Sequence, residues 1–495
     1  MKWKAQFWRS PESQFAFCLV FLFLVQAWQT HAFWHRLVLE DAAESLRAPY
    51  WFVAERTVYN GVACDLPYYV ALSLAYKIFG FSVYMAKILR LGLHAFSLLA
   101  LAELLRRWLG ARQALVPLAA AGLSPTWLYL NTNQVQLGID LQLMPILMLG
   151  ALLLPLSGHP ARCFLSMMAW AALFLICAMI FPSSVFYGPV MAAFLLGRWL
   201  WQPARIGWGW LLGGALLGAV LPIAASLLAL KDPQLLIYDP VTKAGLFRGG
   251  GGGFSLDPKA FAESAVVVLQ DLFIEGTSYN FDLPYAEFSS WISRISFTLL
   301  MMGAILWPLL NGRNSNRTQN WVGAWLLGSL LFLFCAPQLL HKFPGLRRTT
   351  GALFAYYGLL SFIWAGCRTW PRAPAFRAVL GIAILGSLFG NAQTLGLNAA
   401  EARISAQAKN LSWFHVRANP EDSLLYWEEA TRKGAALRCE EFNFSSCRYA
   451  EIFGAIQGYR YWNHLPSSPI IAWDPLQQRY RQIDISLWEN HIWPQ

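Results

Sequence analysis

Glu40, Asp41 and Glu44 follow directly on the first long apolar segment of the chain, residues 14–34. Carboxylates are costly beside a membrane span, and those found there usually hold a proton, a cation or a substrate. Read as a helix over 38–48, the segment puts Glu40 and Glu44 on one face and Asp41 about 100° away. A carboxylate partly desolvated at a lipid boundary has its pKa pushed up and is a better general base. The plainer alternative is a solvated loop acid or a helix N-cap. Asp140 is the second informative acid. It follows the polar turn Asn131-Thr132-Asn133-Gln134 and opens another apolar segment, GIDLQLMPILML. Helix capping is its plainer role. If Asp41 and Asp140 lie on one side of a membrane, they could share a cleft or bind one divalent cation.

What must position these acids is a ladder of apolar segments. Of 495 residues, 57% are hydrophobic and 13% charged, about half the charge of a soluble domain. The 24 Trp and 33 Phe suit interfacial belts and lipid-facing helices. The fold class is therefore an all-α polytopic membrane protein. A span takes about 20 apolar residues, which yields eleven candidates: 14–34, 84–105, 113–130, 138–156, 162–181, 184–201, 208–230, 292–310, 320–337, 350–367 and 376–396. With the N-terminus inside, the Arg-bearing turns (Arg106-Arg107-Arg112, Arg162, Arg198-Arg205, Arg313-Arg317, Arg368-Arg372-Arg377) all fall inside, as the positive-inside rule requires. The formal charge of +11 is thus spent largely on topology, and suits anionic lipid head groups better than nucleic acid. Residues 66–83 are apolar but interrupted by Lys77. Counting them as a span would put the Arg turns outside, so they read as a helix lying in the outer interface with Tyr68, Tyr69 and Tyr76 at that depth. Two domains result: a transmembrane domain over 1–396, with outer loops 35–83, 231–291 and 338–349, and a small polar extracytoplasmic domain over 397–495.

Several motifs carry less. The outer loop His341-Lys342-Phe343-Pro344-Gly345-Leu346-Arg347-Arg348 sets Lys342, Arg347 and Arg348 against the topological rule. It is either a simple exception or an anion site, since Lys and Arg bind phosphate. Gly249 to Gly253 lack a phosphate-loop context and read as a hinge or a mobile lid. Cys439 and Cys447 could pair if the tail is extracytoplasmic, whereas Cys18, Cys163, Cys177, Cys335 and Cys367 read as packing residues.

The stretches Asp41-Ala42-Ala43, Asp65-Leu66-Pro67-Tyr68-Tyr69, Tyr76-Lys77-Ile78-Phe79-Gly80-Phe81, Arg90-Leu91 and Ser124-Pro125-Thr126-Trp127-Leu128-Tyr129-Leu130 resemble the GT-C-type, polyprenyl-phosphate-dependent membrane glycosyltransferases, among them protein O-mannosyltransferase and lipid A aminoarabinose transferase relatives. The resemblance covers roughly residues 20–160. It implies that Asp41 is the acid that deprotonates the acceptor, that Asp140 positions acceptor or metal, and that Lys77, Arg347 and Arg348, with Lys342, bind the donor phosphate. The family order is Asp-Glu-Ala where this chain reads Glu40-Asp41-Ala42, so Glu40 is the alternative base. The partners implied are a polyprenyl-phosphate sugar donor and a lipid, glycan or protein acceptor. The place implied is the bacterial inner (plasma) membrane, with the site facing the periplasm or exterior. A transporter or flippase of a lipid-linked or anionic substrate is the competing class. Its inverted repeats and matched broken helices are not evident in the spans.

Overall fold

The structure is a computed structural model that describes residues 10–32, 66–80, 85–123, 139–180, 187–201, 206–229, 317–339, 470–474 and 479–483. It also describes single positions at 49, 52, 53, 127 and 462 and scattered ones between 354 and 385. The described helices are α1 (Pro11–Ala32), α2 (Leu66–Phe79), α3 (Met85–Leu109), α4 (Ala111–Gly122), α5 (Ile139–Leu153), α6 (Pro160–Ile180), α7 (Tyr187–Leu200), α8 (Trp208–Ala229) and α9 (Arg317–Leu339). Two strands in the polar tail, β1 (Ile470–Asp474) and β2 (Arg479–Ile483), pair antiparallel with Ile470 opposite Ile483 and Asp474 opposite Arg479. Among the described residues, four helices, α1, α3, α6 and α8, are long and apolar enough to cross a membrane. The protein is membrane-embedded and its described spans are helical. The expected span 292–310, most of the tail and, apart from α2 and a few positions beside it, most of the outer loops lie outside the described residues.

Local chemistry sets the helix ends. Ser10 accepts the Ser13 amide at 3.1 Å and caps α1, with Pro11 in the first turn, where its missing N–H costs nothing. That cap starts α1 a turn before the apolar run itself. Between α3 and α4 a single residue, Gly110, reverses the chain at φ 77°, and its amide closes on the Arg106 carbonyl at 2.8 Å. Only glycine adopts that backbone cheaply.

The helices sort into two ends. Glu103 pairs with Arg106 and Arg107 in the last turns of α3, and Glu12 at the start of α1 lies within electrostatic reach of Arg106, so α1 and α3 run antiparallel. The Arg198 guanidinium donates to the carbonyls of Ala151 and Leu154, where α5 runs out. The Ile206 amide bonds the Leu156 carbonyl at 3.3 Å. The Arg-rich end thus collects the start of α1, the ends of α3, α5 and α7, and the starts of α6 and α8. Trp199 against Trp208 (4.4 Å) and Phe164 against Trp210 (6.1 Å) form an aromatic belt there. At the opposite end lies α2. Its Leu66 packs with Met179, Ile223 and Leu227 near the ends of α6 and α8, and its Leu72, Ala75 and Tyr76 pack with Met85 and Ala86 at the start of α3.

At 14 residues, α2 spans about 21 Å, short of the ~30 Å hydrocarbon core. Its Tyr68, Tyr69 and Tyr76 are buried, while Leu74, Ile78 and Phe79 are exposed. Its contacts with the ends of α6 and α8 and the start of α3 put α2 at the end of the bundle. Trp462 of the tail stacks edge-on against Tyr76 at 5.0 Å, so this tail residue also reaches the α2 end.

Helices α6 and α8 approach backbone to backbone. A Cβ at Gly214 would sit 2.6 Å from the Phe164 carbonyl oxygen, and one at Gly218 would overlap that of Met168. Gly214 and Gly218 are one turn apart, the small-xxx-small spacing by which membrane helices bring their backbones together.

Candidate functional site

Of the residues the sequence nominates, Glu40, Asp41, Glu44, Asp65, Lys342, Arg347 and Arg348 lie outside the described residues, as do Gly249 to Gly253 and both tail cysteines. Asp140 is the second residue of α5. Lys77 is in the last turn of α2 and exposed, beside the exposed Ile78 and Phe79. Nothing among the described residues brings Lys77 to Asp140.

What the structure does bring together is a polar face inside the bundle. Lys87, Arg90, His94 and Ser97 lie on α3 at steps of three, four and three, within about 80° of arc and over about 15 Å. Lys87 and Arg90 are each 1% exposed, and His94 and Ser97 are fully buried. The face occupies the half of α3 nearest α2, and the neighbouring helices add to it. Gln142 of α5, also fully buried, donates through Nε2 to the Arg90 carbonyl at 3.4 Å. That contact sets the first turn of α5, which carries Asp140, beside the basic turn of α3. Trp127 meets the His94 ring edge-on at 5.6 Å. On α1, Gln26, Gln29 and Thr30 are buried toward the same end of the bundle, and Gln26 Nε2 lies 3.2 Å from Thr30 Oγ1.

Burying ammonium and guanidinium groups inside an apolar bundle is expensive, and such residues generally mark a substrate path or binding site. As consecutive like charges three residues apart on one helix, Lys87 and Arg90 also repel each other. None of these four side chains is among the candidate site residues of the sequence, although Arg90 stands in one of the stretches that carry the resemblance. The signal was present in the 3-4-3 spacing of ionisable and hydroxyl residues inside a 25-residue apolar helix. Lys87 and Arg90 sit so near its beginning that they pass for flanking charges.

Among the described residues, no three or more His, Cys, Asp or Glu side chains gather where they could hold a metal ion. Asp41, one half of the expected pair, lies outside them. No protein-family model, curated protein or solved structure matches the chain.

Proposed function

We propose that this protein is a membrane glycosyltransferase that moves a sugar from a polyprenyl-phosphate donor to an acceptor at the outer face of the membrane. One observation carries the reading. The turn that bears Asp140, the end of α1 that leads toward Asp41, and the short helix α2 are gathered at one end of an apolar bundle, away from the Arg-rich end. A donor carried by the lipid itself is met at such a place.

In this reading the acceptor's hydroxyl or amine attacks the anomeric carbon. The bond from that carbon to the phosphate oxygen breaks, and its electron pair stays on the departing polyprenyl phosphate. Asp41 takes the acceptor's proton, and the single displacement inverts the anomeric centre. Cationic side chains stabilise the charge developing on the phosphate. A divalent cation, when bound, would be held by Asp41 and Asp140 and would add to that stabilisation. A transporter of an anionic substrate is the second reading, favoured by the depth to which the α3 face runs into the bundle.

The test is a transfer assay on the purified protein in lipid nanodiscs, with polyprenyl-phosphate sugars of several kinds. Release of polyprenyl phosphate that depends on an added acceptor is the expected result. Its absence with every donor, alongside transbilayer movement of the intact lipid or anion, would establish the transporter instead. The sidedness has its own check. Reporter fusions after residues 110 and 400 should read inside and outside respectively, and matching signals from both overturn the eleven-span arrangement.

A further inference from the structure

We propose that the buried face of α3 formed by Lys87, Arg90, His94 and Ser97 binds the phosphate of a lipid-linked substrate. The role thereby moves away from Lys77, Lys342, Arg347 and Arg348. The identity of the lipid rests on the transferase reading; the anion site itself rests on the face.

Ser97 supplies an observation independent of the charges. Among the described residues four other helical serines are buried, and each satisfies its hydroxyl locally on the carbonyl one turn back. Ser73 donates to Tyr69 at 2.7 Å, Ser226 to Pro222 at 2.8 Å, Ser329 to Trp325 at 2.7 Å and Ser361 to Tyr357 at 2.6 Å. Ser97 is equally buried and helical, yet its Oγ has no hydrogen-bond partner among the described residues. A buried hydroxyl left without a partner costs about 1–3 kcal/mol. A serine that forgoes the backbone acceptor in easy reach, on the same face as two buried cations, is placed to donate to a ligand. Gln29 of α1 repeats the pattern, with its Oε1 buried and lacking a partner among the described residues.

The donor set identifies the ligand's chemistry. Lys87 brings an ammonium and Arg90 a planar guanidinium to this face, with an imidazole and a hydroxyl beyond them. Phosphate presents only acceptors, and a guanidinium meets it with two parallel bonds. A carboxylate would use the fork but leave the rest of a face about 15 Å long unfilled. A phosphate held between Lys87 and Arg90 would set the hydroxyl-rich group it carries toward Ser97. The face begins where α2 meets α3, beside the exposed Leu74, Ile78 and Phe79. Those side chains suit a lipid tail, which favours a lipid head group over free phosphate.

The experiment measures binding of polyprenyl phosphate, polyprenol and inorganic phosphate to the full-length protein in nanodiscs, for wild type and for Lys87→Met, Arg90→Gln and Ser97→Ala. Wild type is expected to bind polyprenyl phosphate and to discriminate against the alcohol. Loss of either cation should weaken binding about tenfold or more, and Ser97→Ala by about three- to tenfold. Should Arg90→Gln fail to fold, Ser97→Ala decides, since it removes one hydroxyl and little volume. Unchanged affinity in every folded variant overturns the site, as does inorganic phosphate binding as tightly as the lipid. If transfer fails with every donor while α3-dependent binding of polyprenyl phosphate persists, the transferase reading falls and the phosphate site stands. If transfer proceeds while the variants bind normally, the phosphate site falls and the transferase reading stands.

Discussion

Replacing Asp41 by Asn should lower sugar transfer by about 10²- to 10⁴-fold, the usual worth of a positioned general base. Asparagine keeps the shape of the side chain and its capacity to accept a hydrogen bond, but it cannot take a proton. The loss should therefore fall on kcat with acceptor saturating, while polyprenyl-phosphate affinity stays near that of wild type. Single-turnover transfer with a preloaded donor measures it. Glu40→Gln is the matched control, because the two acids are adjacent and only one can sit in register with the acceptor. Near-normal turnover in Asp41→Asn with loss in Glu40→Gln moves the base by one residue. Normal turnover in both removes it from this loop.

The second large effect is on stability. Gly214→Leu and Gly218→Leu should each cost about 3 kcal/mol or more, above the usual range for an overfilled core. A crowded side chain can rotate away, but at these positions the obstacles are backbone carbonyls of α6, at Phe164 and Met168. Relief requires the two helices to separate along their length, which forfeits the close packing that holds membrane helices together. Thermal unfolding of the purified protein in detergent checks this. Gly209→Leu on the same helix serves as the control, since a Cβ there meets nothing within 4 Å. Equal unfolding temperatures for Gly218→Leu and Gly209→Leu would mean that the α6–α8 contact contributes nothing.

The sequence made the helices legible because span length and apolar runs are local properties. The segments 84–105, 162–181 and 208–230 correspond to Met85–Leu109, Pro160–Ile180 and Trp208–Ala229, and residues 66–83 hold the 14-residue helix α2. Ends moved where capping overrode hydropathy. Ser10 draws α1 back to Pro11, and Gly110 starts the described part of α4 at Ala111, before the apolar run at 113. In the polar tail the described strands β1 and β2 pair with each other, a relation between two segments that neither shows alone. The site was harder to read, for a physical reason. A charge in a loop announces itself, whereas Lys87 and Arg90 gain meaning only once α5 and Trp127 are packed around their helix. The closeness of Gly214 to Phe164 is likewise a property of two helices at once and of neither alone.

The exposed flank of α2 has a kinetic consequence. Leu74, Ile78 and Phe79, at 53%, 70% and 75% exposure, are apolar side chains that acyl chains cover without cost. On the transferase reading, a lipid-carried substrate reaching the α2–α3 junction along that flank searches in two dimensions within a leaflet, and its effective concentration is its mole fraction among the lipids. Occupancy of the site is then set by the membrane's composition and not by the bulk volume. A cell that enriches the carrier lipid in one patch of bilayer raises the encounter rate there without making more of the molecule.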